Sequence, residues 1–253
     1  MRERHASIVV GTCSVVGFLL IWEAASRAGW LNPVLVPRPS LIFETLADIV
    51  QSGAILAPLA HTLALFAIGY AVAALIGIGL GLAMGTSQTL YGALEPLVEL
   101  VRPIPKPALV PALFLFLGIG AKTMVTIVIL AAVFPILINT LAGVRGIDPV
   151  LVDTARTFRL SRRKMVTSVI LPAALPMILA GMRVALGLAL VLTILAEMLA
   201  GESGLGFLIL DLQRSFQIRD MYAWIVVLAL LGGGLTLAFD AADRFVVPWR
   251  GRS

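Results

Sequence analysis

The stretch VDTARTFRLSRRKMVT, from Val152 to Thr167, interrupts a largely apolar chain with a concentration of positive charge. Five basic residues fall within nine of its positions, namely Arg156, Arg159, Arg162, Arg163 and Lys164. Long, predominantly apolar runs precede and follow it. Because basic residues are retained on the cytoplasmic side of membrane proteins, this pattern indicates a cytoplasmic loop between two membrane-spanning segments.

The composition of the whole chain is that of a membrane protein. Of its 253 residues, 60% are hydrophobic and 13% are charged, and the mean hydropathy is +1.02. In soluble domains about a quarter of the residues are charged. The apolar runs are also too long and too uniform for the alternating strands of an outer-membrane barrel. We therefore predict an all-α membrane protein.

Six apolar runs are long enough to be predicted as transmembrane helices. They are Ile8 to Trp22, Leu59 to Gly85, Leu94 to Leu117, Thr123 to Val144, Pro172 to Leu199 and Met221 to Phe239. The first run has a second interpretation, a cleavable signal peptide, because Arg2 and Arg4 precede it. Five further spans make an uncleaved helix the simpler interpretation. Cys13, the only cysteine, is interpreted as an apolar packing residue.

The distribution of Lys and Arg predicts which ends of the helices face the cytoplasm. With six spans, both termini and the loops 86–93 and 145–171 share one side of the membrane. That side holds eleven basic residues, against five on the other side. We therefore expect both termini to be cytoplasmic.

One membrane domain with short additions accounts for the chain. Residues 1–30 are expected to form an N-terminal transmembrane helix. Residues 31–58 form an external linker, with three prolines between Asn32 and Ser40 and a short amphipathic segment from Leu41 to Ile49. Residues 59–245 form the membrane core, with a cytoplasmic helical loop near 148–168, and residues 246–253 form a cytoplasmic tail.

Glycines in the second span predict close helix packing. Gly77, Gly81 and Gly85 are four residues apart and lie on one helix face, where another helix can approach closely. A dinucleotide-binding loop is disfavoured, because the G-x-G-x-x-G spacing is absent.

Prolines predict a break in the third span. The stretch RPIPKPALVP, from Arg102 to Pro111, has four prolines in ten residues, so the helix must break near its cytoplasmic half. Arg102 and Lys106 flank this break. Two interpretations stay open: the two side chains extend to the cytoplasmic interface, or they face a polar pathway.

The basic stretch is itself predicted to fold as two short helices joined by a turn. Asp148 followed by Pro149 is typical of a helix start, and Ser161 is a candidate cap for the second helix. The spacing predicts an apolar face and a basic face, formed by Leu151, Ala155 and Phe158 and by Arg156, Arg159 and Arg163. An ordinary positive-inside signal and a helix that rests on anionic lipid are competing explanations.

The residues of this loop resemble the EAA signature of permease subunits in bacterial ATP-binding-cassette (ABC) importers. That signature reads Glu-Ala-Ala, three residues, Gly, nine residues, Ile, one residue and Leu-Pro. Its positions correspond here to Asp153, Thr154, Ala155, Arg159, Val169, Leu171 and Pro172. Further segments are similar to the nitrate, taurine and aliphatic-sulfonate branch of that family: RPIP (102–105), FPILINTLAGVRGIDP (134–149), LPAALPMILAGMRVALG (171–187) and AEMLAGESGLGF (196–207).

This resemblance covers about Leu35 to Arg244 and implies the type I importer (MetI-like) permease fold of about six helices. It implies that the loop is the coupling helix, which docks in a groove of a separate ATPase subunit. The residues that it assigns to ATPase coupling are Leu151, Asp153, Ala155, Phe158, Arg159, Leu160, Leu171 and Pro172.

The resemblance also implies partners and cargo. The expected partners are a second copy of the permease in a homodimer, two ATPase subunits, a periplasmic or lipid-anchored binding protein, and the lipid of the bacterial inner membrane. The glycine-rich second span is a candidate contributor to the homodimer contact. The cargo is expected to be a small anionic solute of the sulfonate, taurine or nitrate class, selected mainly by the binding protein.

The main departure from the signature is Arg159, which stands where the family has glycine. Either the turn keeps a positive φ, which costs arginine on the order of 1 kcal/mol, or the helix continues through Arg159. We favour the strained turn, because Ser161 is typical of a new helix cap and a cap needs a break before it.

Charged residues inside the spans are functional candidates by default. The candidate pathway residues are Arg102, Lys106, Arg183 and Glu197. Arg183 is expected to be either an interhelical ion-pair partner or a pathway residue that favours anions. Glu197 lies about 21 Å further along the helix, too far to pair with Arg183, and an interfacial position is its alternative.

The sequence does not indicate a catalytic or metal site. It has no G-x-x-x-x-G-K-[ST] stretch, and it offers only His5, His61 and one cysteine as soft metal ligands. We expect a transport subunit rather than an enzyme, with no cofactor of its own, ATP and magnesium on the ATPase subunit, and no nucleic-acid partner. The alternatives are an ion-gradient-driven secondary transporter, which predicts inverted repeats and midplane carboxylates, and a membrane scaffold.

Overall fold

A computed structural model describes residues 2–247, with side chains from residue 10 onward. The helices are α1 (Arg2–Arg27), α2 (Pro39–Gln51), α3 (Leu56–Thr86), α4 (Gln88–Val101), α5 (Val110–Leu117), α6 (Ala121–Arg145), α7 (Pro149–Thr157), α8 (Arg162–Met165), α9 (Leu171–Ala200), α10 (Leu205–Arg214) and α11 (Ile218–Val246). A 3₁₀ turn over Lys106–Leu109 precedes α5, and a π-helical turn over Val166–Ile170 joins α8 to α9. Residues 248–253 of the predicted tail lie outside the described residues.

Within residues 2–247, five helices are long and apolar enough to cross a membrane, and a bent pair supplies a sixth segment. The five are α1, α3, α6, α9 with the turns that precede it, and α11. The bent pair is α4 with the segment Lys106–Leu117, at an angle of 88°. The all-α class, five of the predicted spans and the proline break are therefore confirmed, and the bent pair corresponds to the remaining predicted span.

The predicted loop over 86–93 is wrong, because α4 begins directly after α3. Ser87 alone separates the two helices, and its Oγ accepts a hydrogen bond from Leu90 N at 3.3 Å. This bond satisfies one of the free amides at the start of a helix. The polar residues that indicated a loop thus form a helix cap. Because α4 begins this early, the proline break falls midway along the third span rather than in its cytoplasmic half.

α3 packs against α6 along a line of glycines. Gly69, Gly77, Gly81 and Gly85 face Val128, Ile136, Thr140 and Val144 in that order. An added Cβ at Gly81 would lie 2.6 Å from Thr140 Cβ, closer than real side chains approach. Close packing is confirmed, but the partner helix belongs to the same chain. These four glycines therefore contact α6 rather than a second copy, and a contribution of the second span to a homodimer stays a prediction.

The order of these contacts shows that α3 and α6 run parallel, because residue numbers increase together along both helices. Two parallel neighbours in a membrane need a connection that crosses back between them. The bent pair of α4 and α5 supplies that crossing. The proline-rich segment therefore connects two closely packed helices.

α9 packs against α6 in the antiparallel direction. Gly143 faces Met177, and Gly181 faces Asn139, where an added Cβ would lie 2.6 Å from Asn139 Cβ. We call α3, α6 and α9 the three-helix block. Its interior is filled by Phe66, Ala73, Val128, Ala132, Val133, Ile136, Ala185, Leu186 and Ala189.

The two ends of the block carry different elements. At one end, here called the α10 end, α2 and α10 pack with the start of α11. Arg219 fastens α2 there: its Nη2 lies 3.3 Å from the Glu44 carboxylate, and its Nε donates to Thr45 Oγ1 at 2.6 Å. The amphipathic segment predicted in the linker lies within α2. The opposite end carries α7 and is called the α7 end.

Candidate functional site

The basic loop at the α7 end folds as two helices with a turn between them, as predicted. Asp148 Oδ1 accepts a hydrogen bond from Val150 N at 2.8 Å, and Pro149 follows in the first turn of α7. Ser161 Oγ accepts from Lys164 N at 3.4 Å at the start of α8. Both predicted caps are therefore present.

Arg159 lies in the turn between α7 and α8 with a φ of 49°. This left-handed conformation costs a residue that has a Cβ on the order of 1 kcal/mol relative to glycine. The strained turn is confirmed, and the alternative of a helix that continues through Arg159 is wrong. Because the turn separates Arg156 from Arg163, the predicted basic face along one helix is not formed.

The apolar face of α7 divides between the interior and the surface. Ala155 is only 8% exposed and is packed within the chain, so it is not open to an ATPase as the resemblance implied. Leu151 and Phe158 are 47% and 74% exposed. Val150 is 70% exposed and also belongs to the exposed apolar surface of α7. It was not predicted there, because it does not follow the three-and-four spacing of the predicted face.

The other residues that the resemblance assigned to ATPase coupling have different positions. Leu160, Leu171 and Pro172 are half-buried. Leu171 packs against a cluster that holds the loop on the block, formed by Val144, Ile170, Ala174 and Ile178. Asp153 pairs with Arg156 on the surface, with Oδ1 2.9 Å from Nη1. An exposed pair of this kind contributes about 0–1 kcal/mol, so it does not fix the loop.

Exposed apolar and basic side chains together form what we call the α7 surface. Its apolar members are Val150, Leu151 and Phe158, and its exposed basic members are Arg156, Arg159, Arg162, Arg163 and Lys164. Large apolar groups framed by positive charge are suited to a contact with an acidic rim and an apolar centre.

Lys106 closes the broken end of α4. Its Nζ donates to the carbonyl oxygens of Val101 at 3.0 Å and Arg102 at 3.1 Å, and it lies 4.5 Å from the centroid of the Phe134 ring. The ammonium thus satisfies carbonyls that the end of the helix leaves without a partner. Arg102 pairs with Glu99, with Nη1 3.1 Å from Oε1, and both side chains are more than half exposed.

A cavity of about 290 Å³ lies beside this break. Its lining includes Arg102, Lys106, Phe134, Pro135 and Leu188. The walls therefore combine apolar side chains with two basic groups. A position beside the cavity is compatible with the pathway interpretation of Arg102 and Lys106, which stays a prediction.

Arg183 forms the predicted interhelical ion pair. Its Nη2 lies 2.5 Å from Asp240 Oδ1 and 3.6 Å from Asp243 Oδ2, both on α11. The pair ties the second half of α11 to the three-helix block. Both aspartates lie beyond the predicted span, which ends at Phe239, whereas α11 continues to Val246.

Glu197 is completely buried, so the pathway and interfacial predictions for it are both wrong. Its Oε1 accepts a hydrogen bond from Thr62 Oγ1 at 2.8 Å and lies 3.3 Å from His61 Nδ1. Its Oε2 accepts from Gly206 N at 2.9 Å, and Thr62 Oγ1 accepts from Leu205 N at 2.9 Å. This network, here called the Glu197 clamp, joins α9, α3 and the free amides at the start of α10.

Glycines leave the room that the Glu197 clamp needs. Gly204 has a φ of 100°, and an added Cβ there would overlap the Glu197 carboxyl group. An added Cβ at Gly206 would overlap the carbonyl oxygen of Ile194. In the sequence, a glutamate inside a span followed by closely spaced glycines was the signal that could have revealed a buried carboxylate.

Comparison with known proteins decides the family. A family model described as the binding-protein-dependent transport system inner membrane component matches residues 73–252, more than half of the chain. The chain belongs to this family.

Relatives within this family cover nearly the whole chain. It is 32% identical to the taurine transport system permease protein of Escherichia coli (strain K12), over 98% of this chain and 92% of that protein. It is also 32% identical to the bicarbonate transport system permease protein of Synechococcus elongatus, over 97% of this chain and 89% of that protein. The chain is therefore the membrane-spanning permease subunit of an ABC importer, and ATP hydrolysis belongs to a separate subunit.

A solved structure confirms the fold of this permease. The chain is similar to a chain from inward-facing conformations of the MetNI methionine ABC transporter, with a TM-score of 0.62 and 19% sequence identity. The similarity covers 76% of this chain and 98% of that chain. The predicted type I importer fold is thereby confirmed.

Glu197→Ala is expected to destabilise the permease. The change leaves the buried Thr62 hydroxyl and Gly206 amide without their acceptor, at a cost of about 1–3 kcal/mol each. The thermal unfolding midpoint in detergent should fall by roughly 5–15 °C. Glu202→Ala is the matched control, because Glu202 is exposed and its loss should leave the midpoint unchanged. Wild-type unfolding of Glu197→Ala would contradict the structural role of the clamp.

Arg159→Gly is expected to keep transport and to raise the free energy of unfolding by about 1 kcal/mol, because glycine relieves the positive φ. Arg156→Gly is the matched control inside α7, where glycine should cost about 1 kcal/mol. Thermal unfolding and transport assays on both variants provide the measurement. A clear loss of stability and transport in Arg159→Gly would show that Arg159 makes a contact that outweighs its strain.

Proposed function

We propose that the α7 surface is where the partner ATPase docks and drives this permease. The observation that carries the proposal is Phe158, a large apolar side chain that is 74% exposed on a highly charged loop. The centres of protein interfaces are enriched in aromatic side chains, and their rims are polar. Leu151 and Val150 enlarge the apolar centre, and the surrounding arginines supply the rim.

The anchoring of the loop supports this role. Ala155 and the half-buried Leu171 fix the loop to the end of the three-helix block rather than leaving it free. A force applied at Phe158 therefore acts on α6 and α9, the two helices that the loop connects. This is the property that a coupling element needs.

The cargo is a small anionic solute that passes beside the α4–α5 break. Arg102 and Lys106 line the cavity of about 290 Å³ there, and both carry positive charge. The relatives are named for taurine, which carries a sulfonate, and for bicarbonate, which is an inorganic anion. A separate binding protein would make the primary selection, so the cavity needs charge preference rather than a closely fitted pocket.

Two copies of the chain form the complete path, each with one ATPase subunit. The α4–α5 segment is the best candidate to face the second copy, since none of the fourteen residues of α4, all of them described, is buried within the chain. The outer faces of α1 and α11 contact the lipid of the inner membrane. The excess of basic residues around α7 supports a cytoplasmic position for that end and for both termini.

ATP and magnesium belong to the ATPase partner in this proposal, and the permease holds no cofactor. Among the residues that the structure describes, no group of three or more His, Cys, Asp or Glu side chains could hold a metal ion. An ion-gradient-driven transporter is disfavoured, because the intramembrane carboxylates Glu197 and Asp240 are engaged in hydrogen bonds and an ion pair.

Phe158→Asp should release the ATPase while the permease still inserts in the membrane. A charged carboxylate at the centre of an apolar contact loses its hydration without a partner. Co-purification of the ATPase on a tagged permease measures the effect. Phe216→Asp is the matched control, because Phe216 is 78% exposed at the other end of the molecule and should leave ATPase binding intact. Normal ATPase recovery with Phe158→Asp would contradict the docking role of α7.

A further inference from the structure

α4 is held by side chains at its two ends rather than by burial along its length. It follows α3 after one residue, and no residue in it is buried. At its first turn, the guanidinium of Arg145 stacks over the Tyr91 ring, with Cζ 3.3 Å from the ring centroid. Arg145 Nη2 also donates to Gln88 Oε1 at 3.2 Å. We call Arg145, Gln88 and Tyr91 the α4 link.

The ring of Tyr91 is itself oriented by a neighbour. Its hydroxyl donates a hydrogen bond to the carboxylate of Glu95, one turn further along α4. The ring face is thereby presented to Arg145, where a guanidinium over an aromatic face is attractive. A contact of this type tolerates small sliding movements and stays attractive over a range of positions.

The α4 link joins two parts of the molecule that the proposed mechanism needs to connect. Arg145 is the last residue of α6, and Asp148, which caps α7, follows after only two residues. The other end of α4 is the proline break, where Arg102 and Lys106 line the cavity. Fourteen helical residues span about 21 Å, so α4 reaches from the base of the coupling loop to the cavity.

We propose that Arg145 and Tyr91 are positioning residues that transmit movement of α7 to α4 and so reshape the cavity at the break. The proposal rests on the docking role proposed for α7. When the ATPase moves α7, Arg145 moves with the end of α6 and carries the first turn of α4 with it. No residue of α4 is buried within its own chain, so the three-helix block does not hold the helix in place, and Lys106 keeps the break capped as α4 follows.

A purely structural role for the α4 link makes a different prediction. If Arg145 only supported the turn between α3 and α4, its loss would lower stability, ATP hydrolysis and transport together. If it transmits movement, its loss should separate transport from ATP hydrolysis. The amount of solute moved per ATP hydrolysed therefore distinguishes the two roles.

The test uses Tyr91→Leu with Tyr91→Phe as its matched control, in proteoliposomes that contain the permease, its ATPase and its binding protein. Phenylalanine keeps the ring face for Arg145 and loses only the bond to Glu95, so transport per ATP should stay within about twofold of wild type. Leucine removes the aromatic face, and transport per ATP should fall by about 5- to 30-fold while ATP hydrolysis continues. Arg145→Gln should repeat the leucine result.

Two outcomes would overturn the proposal. In the first, the Tyr91→Leu and Arg145→Gln variants transport as much solute per ATP as the Tyr91→Phe variant. In the second, these two variants lose transport and ATP hydrolysis in parallel. If Tyr91→Leu does not fold, Arg145→Gln alone decides by the same ratio. Phe158→Asp separates this proposal from the one on which it rests. If that variant keeps its ATPase, the docking role of α7 fails. If it releases the ATPase while the Tyr91 and Arg145 variants stay coupled, only the α4 link fails.

Discussion

The close parallel approach of α3 to α6 is the constraint on which the rest of the structure depends. Lipid provides no hydrophobic force that brings apolar helices together, so they associate through close packing, and the glycines of α3 allow α6 to lie against its backbone. Because the two helices are parallel, the chain must cross back between them, and the bent α4–α5 pair does so. The same arrangement places the end of α6 where α7 begins.

Two of the four charged candidates within the spans, Glu197 and Arg183, serve this architecture. The Glu197 clamp fixes the start of α10 at one end of the block, and Arg183 ties α11 to α9 through Asp240. Arg102 and Lys106 differ, because they lie beside a cavity at the proline break. The permease thus combines a closely packed block with a broken segment beside a cavity, and α7 is anchored to the end of the block.

Hydropathy predicted the six spans because the thickness of the hydrocarbon core dictates the length of an apolar run. The turn at Arg159 could also be predicted, since a serine cap requires a break before it. The sequence could not predict the burial of Ala155 and Glu197 or the helix that packs against the α3 glycines. Helical periodicity identifies a face of a helix but not what packs against that face. The start of α4 was missed because Ser87, a helix cap, has the same polar character as a loop residue.

The central claim is that α7 carries the contact through which ATP drives this permease. The most direct measurement is a cryo-electron microscopy structure of the permease with its ATPase partner in lipid nanodiscs. The account predicts two copies of the permease, with Phe158 and Leu151 buried against the ATPase and Ala155 still packed within its own chain. An α7 that remains exposed while the ATPase binds elsewhere would contradict it.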